Sequence, residues 1–578
     1  MGGIDVLGTV NTGNSSSAST TSLTTTVAND YVISIFTRNT ASSTFSTPAG
    51  TTSRVNSAAT VSFNGLLLVD ELDAVPGATT ARTSTLSNGG NWATYAFSLA
   101  PVEDRYWVGG SGDWDSTTKW SATTGGPSGA AVPTRFDRVF VDTSSGTGTI
   151  TAQTTQKSMA EFTVTATQAI GLSISNVVFS VSTATTLPSS GSFTITDSGT
   201  ANFFANGTLT SNSIAFPSIR VGTCTLGSNL TVTGRLLHTS GTFDTSSVGN
   251  YSVTAGNYFN TGTTTRALNL NASTLTFTDA YVNISGGPFY VQSNSNFTFS
   301  AGTSTINLSN AVNGLSIGSG YIFNNVAFTS SSLTTVTLNS TPTYNNLTFT
   351  SRSSAGLCTI NILGNQTVNG TLTLGTTNTA NSRMFVNGSG ARTLTVAIIA
   401  TLSDVDFRYI TAAGASGTWS GTRLGNALGN SNITFGAGKT VYWNLAGTQN
   451  WSSTGWAITN NGTPALNNFP LAQDTAVFTE AGAAGTITWE TNWNVGTIQM
   501  ADGVSNRTTA FTLDGTSTFR VYGSVTLFSS LNLTSTGSWT FNGIGITQNI
   551  NFAGVTMPGR FFTSNAGGTV QLLNNLNS

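Results

Sequence analysis

One histidine, two cysteines and a charged fraction of only 7% leave this chain little with which to do ionic chemistry. A lone His238, in GRLLHTSG, cannot supply a multi-histidine metal site, and no nucleophile motif surrounds it. Cys224 and Cys358 each sit inside an alternating, strand-like stretch and read as small buried hydrophobes rather than a disulfide. The 20 basic residues are scattered and the net charge is −2, so nothing would neutralise a run of phosphates, and nucleic acid is not an expected partner. No phosphate-cradling G-x-x-x-x-G-K-[ST] loop occurs. Nor does any apolar run approach the roughly 18 residues of a membrane helix; the densest, GLLLVDELDAV at 65–75, is broken by acids. Met1 leads into GGIDVLGTVNTG without a basic or apolar leader region, which predicts a soluble product made in the cytoplasm; neither membrane insertion nor a cofactor is expected.

What the 578 residues do contain is aromatic material, 33 Phe, 12 Tyr and 11 Trp, set in Thr, Ser, Gly and Asn. That is ample for several cores. Residues 1–102 alternate in short strands, as in DYVISIFTRN (30–39) and NWATYAFSLAP (91–101), and predict an antiparallel β-sandwich. From about 145 to 440 the texture changes to cassettes of Asn, hydrophobe, any residue, hydrophobe: NVVF (176–179), NLTV (229–232), NFTF (296–299), NVAF (325–328), NLTF (346–349) and NITF (432–435), with DVDF at 404–407. Neighbours lie as little as 21 residues apart, at Asn325 and Asn346, within the repeat length of solenoids. Each cassette is expected to point two side chains inward, with its Asn at a left-handed corner or in a stacked amide ladder. The predicted fold class is all-β, an N-terminal β-sandwich followed by β-solenoid blocks, with a stack of sandwiches as the competing architecture.

The tryptophans are not spread evenly. YWVGGSGDWDSTTKW opens the stretch at 106–142, and YWNLAGTQNWSSTGW opens the stretch at 442–478. Trp107, Trp114, Trp120, Pro133 and Asp137 correspond to Trp443, Trp451, Trp456, Pro470 and Asp474, and the match runs on through GTIT at 148–151 and 485–488. This internal repeat divides the chain into 1–102, a first Trp-motif block at 103–440 and a second, incomplete copy at 441–578. Each motif precedes a cassette array, so it is expected to cap the open end of a coil stack. The alternative is an exposed aromatic platform that stacks on glycans. Asp137 and Asp474 are expected to bind turn backbone rather than act as acids.

The W-x-G-G-x-G-x-W…W…P-x-x-x-D cassette, with the 401–444 and 468–478 stretches, resembles large virion proteins of tailed bacteriophages, labelled tail fibre, tail or structural protein. The likeness covers roughly 100–578. It implies a non-enzymatic tail fibre of the virion, made in the host bacterial cytoplasm. The implied partners are other virion proteins and a host surface glycan or receptor, with threefold self-assembly expected of a fibre. The family brings no catalytic residues. A capsid-decorating or head-fibre protein is one alternative, and a polysaccharide-depolymerising tailspike is another. For the latter two carboxylates suffice, but between 165 and 440 the sequence has only Asp197, Asp244, Asp279, Asp404 and Asp406. Asp404 and Asp406 are expected on a solvated strand edge. Finally, GTVQLLNNL (568–576) lines up with GTCTLGSNL (222–230), which leads into many further cassettes. The expectation is that the native chain continues past Ser578 or that its last strand pairs with another subunit.

Overall fold

The computed structural model describes residues 3–39, 42–60, 64–198, 201–278, 287–309, 314–375, 381–482, 485–500 and 507–575. Among these the chain forms strands and turns, with two single-turn 3-10 segments and no α-helix. It divides into two compact units, 1–230 and 231–578.

The first unit begins with β1 (Ile4–Leu7), β2 (Asn11–Ser19), β3 (Thr24–Thr25), β4 (Asp30–Arg38), β5 (Thr52–Ser57), β6 (Gly65–Asp73), β7 (Gly77–Ala78) and β8 (Thr83–Leu99). An antiparallel sheet runs β1-β8-β4-β6-β5, with β2 also on β8, and β3 pairs β7 in a separate ribbon. Period-two alternation sends Phe36, Leu67 and Val69 to one face, where they pack with Ala18, Phe45 and Leu86. The all-β class with this N-terminal sandwich layer is as the sequence predicts.

From β9 (Asp104–Trp107) onward pairing turns parallel. β10 (Gly112–Asp113) and β11 (Trp120–Ser121) follow, and then β12 (Arg138–Val141) lies parallel to β9. Successive coils stack in register: Val139 on Phe162, then Thr185, Leu209 and Leu226, all buried. A second parallel ladder runs through 112–113, 148–152, 170–174 and 194–197. Because the side-chain period is two and the coils hold register, each inward position becomes a continuous buried column, largely apolar.

The second unit is built the same way. Val326, Leu347 and Leu372 form one such column. From 440 each coil crosses three parallel sheets. Val441, Ala476, Ile498, Val525 and Ile550 stack fully buried along one of them, and Trp493, Phe519 and Trp539 along another.

The cassette asparagines take both roles. Asn176, Asn296 and Asn432 have φ of 58°, 54° and 58°, the left-handed corner that Asn tolerates better than other side-chain residues. Asn325 and Asn346 instead sit inside strands, and the Asn346 amide donates to Asn325 Oδ1 at 2.8 Å. Two inward side chains per cassette hold at 326/328 and 347/349 but not throughout. In NVVF only Phe179 is buried, because the corner at Asn176 delays the strand until that residue, and in NITF neither Ile433 nor Phe435 is buried. Both cysteines are free and buried.

Candidate functional sites at the tryptophan motifs

The glycines of W-x-G-G let the chain leave β9 and turn back. Gly109 and Gly110 have φ of 79° and 67°, and a Cβ on Gly110 would lie 2.6 Å from the Thr147 carbonyl oxygen. The return strand β11 then pairs antiparallel with β9, Trp120 opposite Trp107. β9 therefore has a parallel neighbour, β12, on one side and the reversed β11 on the other. In the second copy Thr440–Trp443 is flanked in the same way, by parallel Thr475–Val477 and by antiparallel Trp456–Ala457, with Trp456 opposite Trp443.

The indoles repeat this match. Trp107 and Trp120 meet edge to face at 5.1 Å, Trp443 and Trp456 at 5.2 Å. Trp114 and Trp451 each contact the third ring of their own motif, at 4.8 and 4.9 Å. Each then reaches a coil phenylalanine: Trp114 meets Phe179 at 5.1 Å, and Trp451 meets Phe519 at 4.7 Å. Backbone amides of Trp114 and Trp451 donate to the carbonyls of Thr151 and Thr488, fixing the middle indole to the next coil. The indole N–H of Trp120 donates to Trp114 O at 2.7 Å, that of Trp456 to Trp451 O at 3.1 Å. All six rings are at most 2% exposed. None offers a free face to a ligand.

Asp137 and Asp474 are buried and bind backbone. Asp137 accepts from the amides of Thr134 (2.7 Å) and Glu103 (3.1 Å), and Asp474 from those of Leu471 (2.9 Å) and Lys439 (3.0 Å). Each carboxylate thus ties the loop three residues before it to the entry of the motif's first strand. Burial pushes the Asp137 carboxyl up, while the Thr134 bonds oppose the shift. Lys439 adds an ammonium to Asp474 and is itself pushed down by burial. The sequence comparison pairs the two aspartates but gives no sign of this lysine, since the first copy has Glu103 in its place.

The placement of Asp404 and Asp406 corrects the sequence reading of a solvated edge. Both are 2% exposed. Arg383, on the strand stacked beside them, pairs with Asp404 at 3.1 Å and with Asp406, and Arg423 Nε donates to Asp404 at 2.6 Å. Asn494, from the second Trp-motif block, donates to Asp406 Oδ2 at 2.8 Å. The strand is covered on both faces, inward by its own coil and outward by the block that follows, so alternation no longer separates core from solvent. Two aspartates and two arginines neutralise one another and leave no free acid and base pair. Asp279 lies outside the described residues. Among the described residues no cluster of His, Cys, Asp or Glu could hold a metal ion.

These features define a class: an all-β chain of register-stacked coils in which a tryptophan-rich reversal strand covers the first coil of each of two blocks. Comparison with protein-family models, with curated proteins and with solved structures finds no match.

Proposed function

We propose that this chain is a non-enzymatic structural protein of a tailed-bacteriophage virion, a tail fibre whose N-terminal sheet anchors it and whose coil blocks carry host attachment. In this reading the tryptophan motifs are end caps. The observation that carries it is the duplicated motif: two copies with the same strand reversal, indole packing and buried aspartate each begin a stack of coils. A motif copied for binding would keep a ring face open, whereas one copied for building keeps its interior. Threefold self-assembly and contacts with other virion proteins and a host surface glycan belong to the same proposal.

Immunogold labelling of virions against this chain tests it, with label on the tail expected. Label on the head would favour a capsid-decorating protein. Incubation with host surface polysaccharide should release no reducing ends, and release would favour a depolymerase.

A further inference from the structure

The N-terminal sheet has a second face. In β4 the residues between the core positions are Tyr31, Ile33 and Ile35, so the central strand carries apolar side chains on both sides. Register places Ile33 beside Phe97, and Ile35 between Tyr95 and Leu68. At the rim Leu7, opposite Phe97, is 62% exposed and Leu72, opposite Tyr31, is 55% exposed. The core of Phe36, Leu67 and Val69 lies on the other side of the sheet, and Tyr31, Ile33, Ile35, Leu68, Tyr95 and Phe97 on this face are half-buried.

From this the geometry points to a self-association surface: copies of the chain bury this sheet face against the same face of another copy. Three features select that occupant. The face is electrically neutral, because its charged residue among those described, Asp70, is held by Arg54 at 2.8 Å. A charged partner would gain nothing, and like faces meet without repulsion. Edge-on pairing through β5 is disfavoured, because that edge strand is exposed throughout and mostly polar, TSRVNS with an arginine. A twisted apolar sheet is instead matched by another such sheet about 10 Å away. The coils offer no equivalent, as their outward rows carry residues such as Thr163, Thr186 and Thr210.

The area suffices. Five strands about 4.8 Å apart and about seven residues at 3.4 Å give roughly 500 Å² per copy. A pair then buries about 1,000 Å², where specific interfaces begin.

This inference stands apart from the threefold part of the proposed function, because a face that meets its own like closes as a dimer and does not by itself build a trimer. Sedimentation of the full chain at micromolar concentration is expected to show a dimer, and a doubly substituted Ile35→Asp/Leu68→Asp chain with native circular dichroism is expected to be monomeric. A dimer would keep the surface and remove the threefold fibre, a trimer would overturn the self-paired surface, and a wild-type monomer would overturn both. A folded double variant that still assembles would overturn the surface alone. Should that variant misfold, alkylation of Ile33→Cys decides, because Cys224 and Cys358 are buried. Protection at least tenfold relative to Leu363→Cys, whose native leucine is 44% exposed, supports the surface, and equal labelling contradicts it.

Discussion

The two tryptophan motifs are alike inside and different outside. Around the first, the N-terminal sheet touches the motif through Arg135, which is 57% exposed, donates to the carbonyls of Ile4 and Asp5 at 3.4 and 3.2 Å, and lies 3.6 Å from the Asp5 carboxylate. Beside this contact an open cleft of about 700 Å³ is lined by Gly3, Val102, Phe136 and Glu161 among others. Around the second, the preceding coils close on the motif with a network of the buried Arg383, Asp404 and Asp406 and the half-buried Arg423. There the Asn381 amide also donates to Ser452 O at 2.5 Å, and Gln473 bridges Asn426 N and Leu424 O. The inner side of the motif is dictated by the coil it covers and stays constant. Its outer side answers only to the neighbouring domain, and one copy is tethered where the other is fused.

The largest effect expected from breaking this comparison lies in what the motifs share. Trp114→Ala and Trp451→Ala each remove a fully packed indole and should cost about 3–5 kcal/mol, read as a lowered melting temperature. Unchanged melting with lost glycan binding would restore the platform reading. Next comes the fused junction. Asp406→Ala leaves Arg383 buried without one of its partners, and should cost about 3 kcal/mol in denaturant titration. A loss below 1 kcal/mol would mean the network does not hold the blocks.

Acid should separate the units. His238 is fully buried, its ring nitrogens lie 2.8 Å from the Tyr258 hydroxyl and 3.1 Å from Gly241 O, and burial pushes its pKa down to about 4. The folded state therefore favours the neutral ring. Its contribution is present above the ordinary value near 6.5 and is lost as pH falls through about 4, up to about 3 kcal/mol. Asp30 in the N-terminal sheet behaves oppositely. Burial, then Asp5 and Asp73, push its carboxyl up to about 6, so its contribution is lost as pH rises through that value. His238→Gln should flatten the acid limb of the second unit's melting curve, and Asp30→Asn the limb near pH 6 in the first. Persistence of either limb contradicts the assignment. Smallest of all is Arg135→Ala at the tethered junction, expected to shift stability by under about 1 kcal/mol. A loss as large as that of Asp406→Ala would erase the difference between the junctions.

Some of this was legible in the sequence and some was not. The motif pairing was, because residue identity repeats wherever the same backbone reversal must recur: glycine at the turn, tryptophan at the seam, aspartate where loop amides need an acceptor. The solenoid was legible from the cassettes, although the corner at Asn176 showed that a shared spelling need not mean a shared strand position. The burial of Asp404 and Asp406 was not, because it depends on Asn494, 88 residues beyond Asp406, covering the strand's outer face, and alternation assumes that outer means wet. The doubly apolar spelling of DYVISIFTR was visible throughout. It read as ordinary sandwich until the structure showed which face the core uses.

Native-state hydrogen exchange puts the capping account to its most direct test, through the amides that join each motif to its coil, Trp114 to Thr151 and Trp451 to Thr488. If the motifs close the stacks, peptides spanning both tryptophans exchange as slowly as the coils beneath them, and the second remains as protected as the network around Asp406. Rapid exchange at both motifs over well-protected coils would contradict the account, because a motif that opens freely over a protected stack is not what keeps that stack closed.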